Sequence, residues 1–179
     1  MEFDAYQDEV VRILKGDEVV VIFVTDGYMQ DYNDESFKIL KRSHAKECCD
    51  ILGVQRTIFL GYEGARLDLV SNSLINGHVS RIIAEESPDI VYTHHWGDLN
   101  NDHRVVFEAT MVACRPHRHN DKRVNLVLSY EVLSSSEWSG KIGEDFFTPT
   151  NYNILSKEIV EKKIEAFLKY ETEQCAYPH

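Results

Sequence analysis

The chain has 179 residues and a formal net charge of −11, from 30 acidic and 19 basic side chains. Hydrophobic residues make up 43% of the chain and charged residues 27%, a globular composition that excludes disordered, collagen-like and low-complexity proteins. Such a negative charge disfavours nucleic-acid binding, and no apolar run reaches the roughly 20 residues that cross a bilayer. The N-terminus has no secretory signal, so we expect a cytoplasmic protein with one domain over residues 1–179.

Helical and strand patterns alternate along the chain. A helical pattern over residues 10–14 comes first and ends at Gly16. Short apolar runs then predict strands at 18–24, 57–61, 88–93 and 124–132, and amphipathic patterns predict helices at 36–52, 74–87, 104–114 and 157–174. This order predicts an α/β fold, a Rossmann-like three-layer sandwich around a mostly parallel sheet.

The order of the elements departs from a doubly wound sheet in one respect. The first strand of such a sheet takes a central position, whereas this chain opens with a helical pattern. We therefore expect the first central strand to be missing. Without this strand, the exposed edges of its neighbours would favour aggregation or association. The sequence leaves open whether the chain forms a homo-oligomer.

The densest polar stretch, residues 93–104, follows the third predicted strand directly. It contains His94, His95 and His103 with Asp98 and Asp102. Imidazole and carboxylate groups coordinate zinc and similar divalent metals. In α/β sheets, substrates and cofactors bind at the carboxyl ends of the strands, which is where this stretch begins.

Two interpretations of this stretch stay open. In one, Asp102 caps the helix that His103 opens and also orients a neighbouring imidazole. In the other, the stretch is only a polar turn and a helix cap. A catalytic zinc has three protein ligands as a rule, and this loop supplies one or two.

Other strand ends carry weaker signals. Asp26 follows the first predicted strand and either points toward the same edge of the sheet or closes the turn. Residues 134–136 are serines after the fourth strand, but no Gly-x-Ser-x-Gly elbow surrounds them, which argues against a serine nucleophile. No glycine-rich phosphate loop follows a strand, which argues against a nucleotide-sugar enzyme.

A set of motifs, in the right order and nearly end to end, resembles the LmbE-like (PIG-L) family of zinc-dependent N-deacetylases. The most specific are Tyr92-Thr93-His94-His95, Gly97-Asp98-Leu99-Asn100, Asp102-His103-Arg104 and Ala113-Cys114-Arg115-Pro116. The resemblance implies a Rossmann-like fold, an amino-sugar substrate of the N-acetylglucosamine type, and a metal that activates water. The metal would be Zn²⁺ or another divalent ion.

The resemblance also implies roles for individual residues. His103 would be a zinc ligand and Asp102 the partner that orients it. Asn100 stands where many members have a histidine that stabilises the oxyanion or donates a proton, so His95 or His94 would take this role, with Asn100 donating a hydrogen bond. The substrate-binding set would be Asp26, Arg66, Asp68, His94, Asp98, Arg115 and Glu131.

One departure from the family concerns the metal itself. The family's first strand ends in Ala-His-Pro-Asp-Asp-Glu, which supplies two zinc ligands and the general base, and this sequence contains no such motif. Both ends look truncated against the family, so we expect a partial domain with weak zinc binding and negligible turnover. The alternative is a non-catalytic remnant that serves as a sugar-binding or interaction module.

Overall fold

The computed structural model describes residues 12–13, 15–27, 34–116, 123–139 and 146–174. Within these ranges the elements are β1 (Val20–Thr25), α1 (Glu35–Leu52), β2 (Arg56–Tyr62), α2 (Asn72–Glu86), β3 (Ile90–His94), α3 (Asn101–Ala113), β4 (Leu126–Tyr130) and α4 (Lys157–Phe167). Most of the helical pattern over residues 10–14 lies outside the described residues. The alternation of strand and helix confirms the predicted α/β class.

The described strands form two parallel pairs. β1 pairs with β2, with Val20 opposite Arg56, and β3 pairs with β4, with Ile90 opposite Leu126. The chain divides into two compact units, residues 1–64 with 149–179 and residues 65–148. Each unit holds one of the strand pairs. The expected single domain with a missing central strand stays a prediction.

The core of the first unit lies between α1, α4 and the β1–β2 pair. Cys48 and Leu52, one helical turn apart on α1, are fully buried. They pack in one cluster with Phe23 of β1, whose ring stacks on Phe59 of β2 at 4.9 Å between centroids. The helix ends where predicted, because Gly53 has a φ of 90° and its amide donates to carbonyls of the last turn.

The last helix is shorter than the predicted range of 157–174. α4 ends at Phe167, and the amides of Lys169 and Tyr170 then donate to carbonyls three residues earlier. This tighter turn places Tyr170, 3% exposed, in the core, 6.3 Å from the ring of His44. The prediction of one continuous helix to residue 174 was therefore wrong. The hydrogen-bonding pattern changes after Phe167, and Tyr170 is buried at this point.

The second unit places α2 and α3 against each other beside the β3–β4 pair. Ile75 and Val79 of α2 are buried, as are Ala109 and Ala113 of α3. Both helices therefore contribute buried apolar side chains to this unit. None of the helices within the described ranges is long and apolar enough to cross a membrane.

Candidate functional site

Residues 93–104 connect the carboxyl end of β3 to α3, as the sequence predicts. His94 is the last residue of β3 and lies opposite Tyr130, the last residue of β4. The next residue, His95, is 1% exposed. α3 begins at Asn101 rather than at the predicted residue 104, so His103 lies in its first turn.

Asp98 is the centre of a buried hydrogen-bonded cluster beside His103. Its Oδ1 accepts the backbone N–H of Asn100 at 2.8 Å and lies 3.1 Å from Nδ1 of His103. Its Oδ2 accepts the hydroxyls of Ser135 at 2.8 Å and Ser136 at 3.0 Å. Burial alone would raise the pKa of Asp98, but the hydrogen bonds, led by that of His103, lower it from 3.8 to about 2. The carboxylate is therefore ionised at neutral pH.

Aromatic rings enclose the two histidines at the end of β3. The imidazole of His94 stacks on that of His103, with centroids 4.6 Å apart and planes at 18°, and its centroid lies 5.1 Å from the ring of Tyr130. The imidazole of His95 lies 4.1 Å from the ring of Trp96. The structure thus brings His94 and His103 into contact and gives His95 a buried aromatic environment.

Asp102 has a different partner from the one that the resemblance implies. Its Oδ2 accepts the amide of Ala65 at 2.6 Å and its Oδ1 the amide of Leu67 at 3.1 Å. Nδ1 of His103 is held by Asp98 instead. The physical reason is that both oxygens of Asp102 accept amides of the segment that contains Arg66.

The segment that Asp102 holds carries two of the predicted substrate-binding residues. Ala65 has a φ of 56°, in the left-handed region that a residue with a Cβ rarely adopts. Arg66 is half-buried, and Asp68 is exposed in the short 3₁₀ turn that follows. Two carboxylate hydrogen bonds thus fix a strained backbone beside Arg66, whose role in substrate binding stays a prediction.

Asn100 is the N-cap of α3. Its Oδ1 accepts the amide of Asp102 at 3.0 Å, which takes over the capping that the sequence assigned to Asp102. Arg104 donates from Nη1 to the carbonyl oxygens of Asp98 at 2.7 Å and Leu99 at 3.1 Å. The turn between β3 and α3 is therefore fixed by a cap and by a guanidinium group.

Asp26 lies in the first unit, directly after β1. Its carboxylate is 1% exposed and accepts both Nε and Nη2 of Arg42, at 2.8 and 2.9 Å. Nζ of Lys38 lies 3.8 Å from Oδ2. The structure therefore gives Asp26 an ion-paired, buried position, and its predicted contact with substrate stays a prediction.

The last two predicted residues lie at opposite ends of the β3–β4 pair. Glu131 follows Tyr130 directly and so leaves β4 at the carboxyl end, where His94 lies. Arg115 lines a cavity with Pro88 and Val124, which precede the two strands. The structure does not bring Arg115 to the cluster around Asp98.

Sequence reasoning missed the part that Ser135 and Ser136 take in this cluster, because it considered them only as nucleophiles. Both serines are 8% exposed and both donate to Asp98. A signal was available in the sequence. The serines follow β4, a strand parallel to β3, and carboxyl ends of parallel neighbours share one edge of a sheet.

The fit of a metal can be judged from the donor atoms. His103 has its Nδ1 beside a buried carboxylate, which is how ligating histidines are held in zinc proteins. Among the described residues, however, no group of three His, Cys, Asp or Glu side chains converges on one point. The described residues therefore provide one suitable zinc ligand, His103, and do not form a complete zinc site.

Comparison with known proteins yields both a family and a set of folds. The family model described as "PIG-L: GlcNAc-PI de-N-acetylase" matches residues 10–114. The uncharacterized deacetylase YaiS of Escherichia coli K12 is 31% identical over 153 residues, which are 83% of this chain and 69% of YaiS.

Two solved structures illustrate the range of activities on this fold. The N,N'-diacetylchitobiose deacetylase of Pyrococcus horikoshii has a TM-score of 0.69 at 21% identity, covering 98% of this chain and 66% of that one. GalB of Pseudomonas putida KT2440, a 4-carboxy-2-hydroxymuconate hydratase, has a TM-score of 0.73 at 14% identity, covering 96% and 74%. At these identities the likeness establishes the Rossmann-like fold alone, because one fold supports several chemistries.

Proposed function

Because this chain belongs to the PIG-L family of de-N-acetylases, we propose that its site serves the zinc-dependent removal of an N-acetyl group from an amino sugar of the N-acetylglucosamine type. The reaction class, amide hydrolysis, follows from the family. The metal and the sugar are the finer part of the proposal. GalB, which shares the fold, is a hydratase, so the fold by itself does not support this choice.

The observation that carries the proposal is the contact between the buried carboxylate of Asp98 and the imidazole of His103. Oδ1 of Asp98 lies 3.1 Å from Nδ1 of His103, and the aspartate is 1% exposed. A buried carboxylate at Nδ1 orients the ring and makes the other nitrogen, Nε2, the one that would ligate a metal.

A zinc ion bound through His103 would activate a water molecule and polarise the amide carbonyl of the substrate. The chain's own residues would hold and orient the sugar around it. His94, stacked on His103, would face the reacting amide, and the side-chain amide of Asn100 keeps its N–H groups for donation while its oxygen caps α3. Arg66, whose neighbours Ala65 and Leu67 donate their amides to Asp102, would contact the sugar.

We also propose that this chain alone binds zinc weakly and turns over negligibly, since the described residues supply one ligand of the three that a catalytic zinc needs. The test is zinc affinity by competition with a chelating dye, together with acetate release from N-acetylglucosamine and N,N'-diacetylchitobiose. We expect weak zinc binding that is lost in His103→Ala and retained in His78→Ala, the control on α2. Zinc binding that survives His103→Ala would contradict the assignment, and full turnover with tightly held zinc would contradict the inactivity.

The second candidate is a metal-independent sugar-binding module, and the same incomplete ligand set favours it. In that case an N-acetylated sugar binds equally well with and without zinc, and no acetate is released. Isothermal titration with the two sugars, in the presence of zinc and in the presence of EDTA, separates the candidates. A sugar affinity that rises with zinc supports the deacetylase site.

A further inference from the structure

The segment after β4 delivers two hydroxyl groups onto one oxygen of Asp98. Ser135 and Ser136 donate to Oδ2 at 2.8 and 3.0 Å, and both are buried. Their backbone is fixed as well, because the amide of Ser135 donates to the carbonyl of Val132 at 2.9 Å. The neighbouring Ser134, the first of three consecutive serines, is exposed.

The direction of each hydroxyl proton follows from its surroundings. Oγ of Ser136 accepts the amide of Val132 at 2.9 Å, so its own proton is directed to Asp98. Ser135 likewise gives its proton to Asp98, and its oxygen lies 3.3 Å from Nδ1 of His103. The two serines therefore present donors to the aspartate and an acceptor to the histidine.

These contacts determine the tautomer of His103. Both oxygens of Asp98 accept hydrogen bonds, Oδ1 from the amide of Asn100 and Oδ2 from the two serines, and Oγ of Ser135 has already given its proton away. Nδ1 faces Oδ1 of Asp98 and Oγ of Ser135, at 3.1 and 3.3 Å, so Nδ1 must carry the hydrogen. The lone pair of the neutral ring is then on Nε2.

We propose that Ser135 and Ser136 are positioning residues that act through Asp98 to hold His103 as the Nδ1–H tautomer. This inference rests on the proposed function only for the use of Nε2 by a metal; the tautomer itself follows from the contacts. Without the hydroxyls, Oδ2 of Asp98 loses two buried donors. The carboxylate then keeps the amide of Asn100 but loses the donors that fix Oδ2, so its alignment with Nδ1 weakens, and the ring loses Oγ of Ser135 as an acceptor.

The test is long-range ¹H–¹⁵N correlation NMR of the His103 imidazole in the full metal-free chain, assigned with His103→Ala and recorded at a pH where the ring is neutral. We expect the wild-type shifts of a protonated Nδ1 and an unprotonated Nε2. The Ser135→Ala/Ser136→Ala chain should move toward a mixture of tautomers. Ser134→Ala, the matched control, should give the wild-type shifts. The single variant Ser135→Thr should also keep the wild-type shifts, because threonine retains the hydroxyl.

A wild-type ring protonated on Nε2 would overturn the inference, and so would a folded double variant with unchanged shifts. If the double variant does not fold, Ser135→Ala and Ser136→Ala are measured singly under the same two criteria. Zinc affinity gives a second readout, with an expected loss of roughly 10-fold or more in the double variant. If the wild-type chain releases no acetate while the shifts behave as expected, the proposed function fails and the positioning role stands.

Discussion

Replacing Asp102 by asparagine should loosen the segment that carries Arg66. Asp102 is buried and accepts two backbone amides, Ala65 on Oδ2 at 2.6 Å and Leu67 on Oδ1 at 3.1 Å. Asparagine offers one oxygen, so its NH₂ group must face one of the two N–H donors. A backbone N–H cannot turn into an acceptor, so either the part-buried amide of Ala65 or the buried amide of Leu67 is left without its bond.

The magnitude follows from the unmade bond. A buried donor left unsatisfied costs about 1–3 kcal/mol, which is roughly a 5- to 150-fold increase in the population of the locally open segment. The left-handed φ of Ala65 costs a residue with a Cβ about 1–2 kcal/mol, but this cost is the same in the wild type and in Asp102→Asn and leaves the ratio unchanged.

Hydrogen exchange of the Ala65 and Leu67 amides measures this opening directly. Both amides should exchange faster in Asp102→Asn by the stated factor, while Asp68→Asn, an exposed carboxylate of the same segment, leaves them unchanged. Equal exchange rates in the two variants would refute the argument that Asp102 holds this segment.

Other substitutions and conditions test further parts of the structure. Gly53→Ala should destabilise the chain by about 1 kcal/mol, because φ is +90° there, whereas Gly77→Ala, in the open interior of α2, should stabilise it by about 0.5–1 kcal/mol; thermal unfolding checks the opposite signs. Burial raises the pKa of the Cys114 thiol, so in the native chain it should react with iodoacetamide more slowly than a free thiol does, and Cys48 should react only after unfolding. The fold lowers the pKa of Asp98 from 3.8 to about 2, so the folded chain binds fewer protons than the unfolded one between these values. Its contribution to stability is complete above about pH 4 and falls as the pH drops through this window, which acid unfolding followed by circular dichroism would detect as a weaker loss in Asp98→Asn.

Local patterns in the sequence were sufficient for most of the fold. The apolar runs predicted the strands, and Gly53 predicted the end of α1. Both features depend on residues that are neighbours in the sequence. The end of α4 was not predicted correctly, because it depends on the burial of Tyr170 against other elements. Amphipathic spacing continues through residue 174 and carries no sign of that packing.

The candidate site was predicted where it is contiguous and missed where it is not. His94 ends β3, Asp98 lies in the turn that follows and His103 lies in the first turn of α3, so the sequence predicts that they are close together. Ser135 is 37 residues from Asp98, and its contact depends on the pairing of β4 with β3. The exchange of partners between Asp98 and Asp102 is a matter of side-chain direction, which spacing alone does not determine.

The division of the chain into a contiguous and an interrupted unit has a consequence for biosynthesis. Residues 65–148 form one unit without a break, and the other unit needs residues 149–179 in addition to 1–64. A ribosome therefore synthesises every residue of the Asp98 cluster before it makes α4, whose Ala166 lies in the core of the first unit. Domains fold as units during synthesis, so the unit that contains residues 1–64 stays incomplete until α4 has been translated.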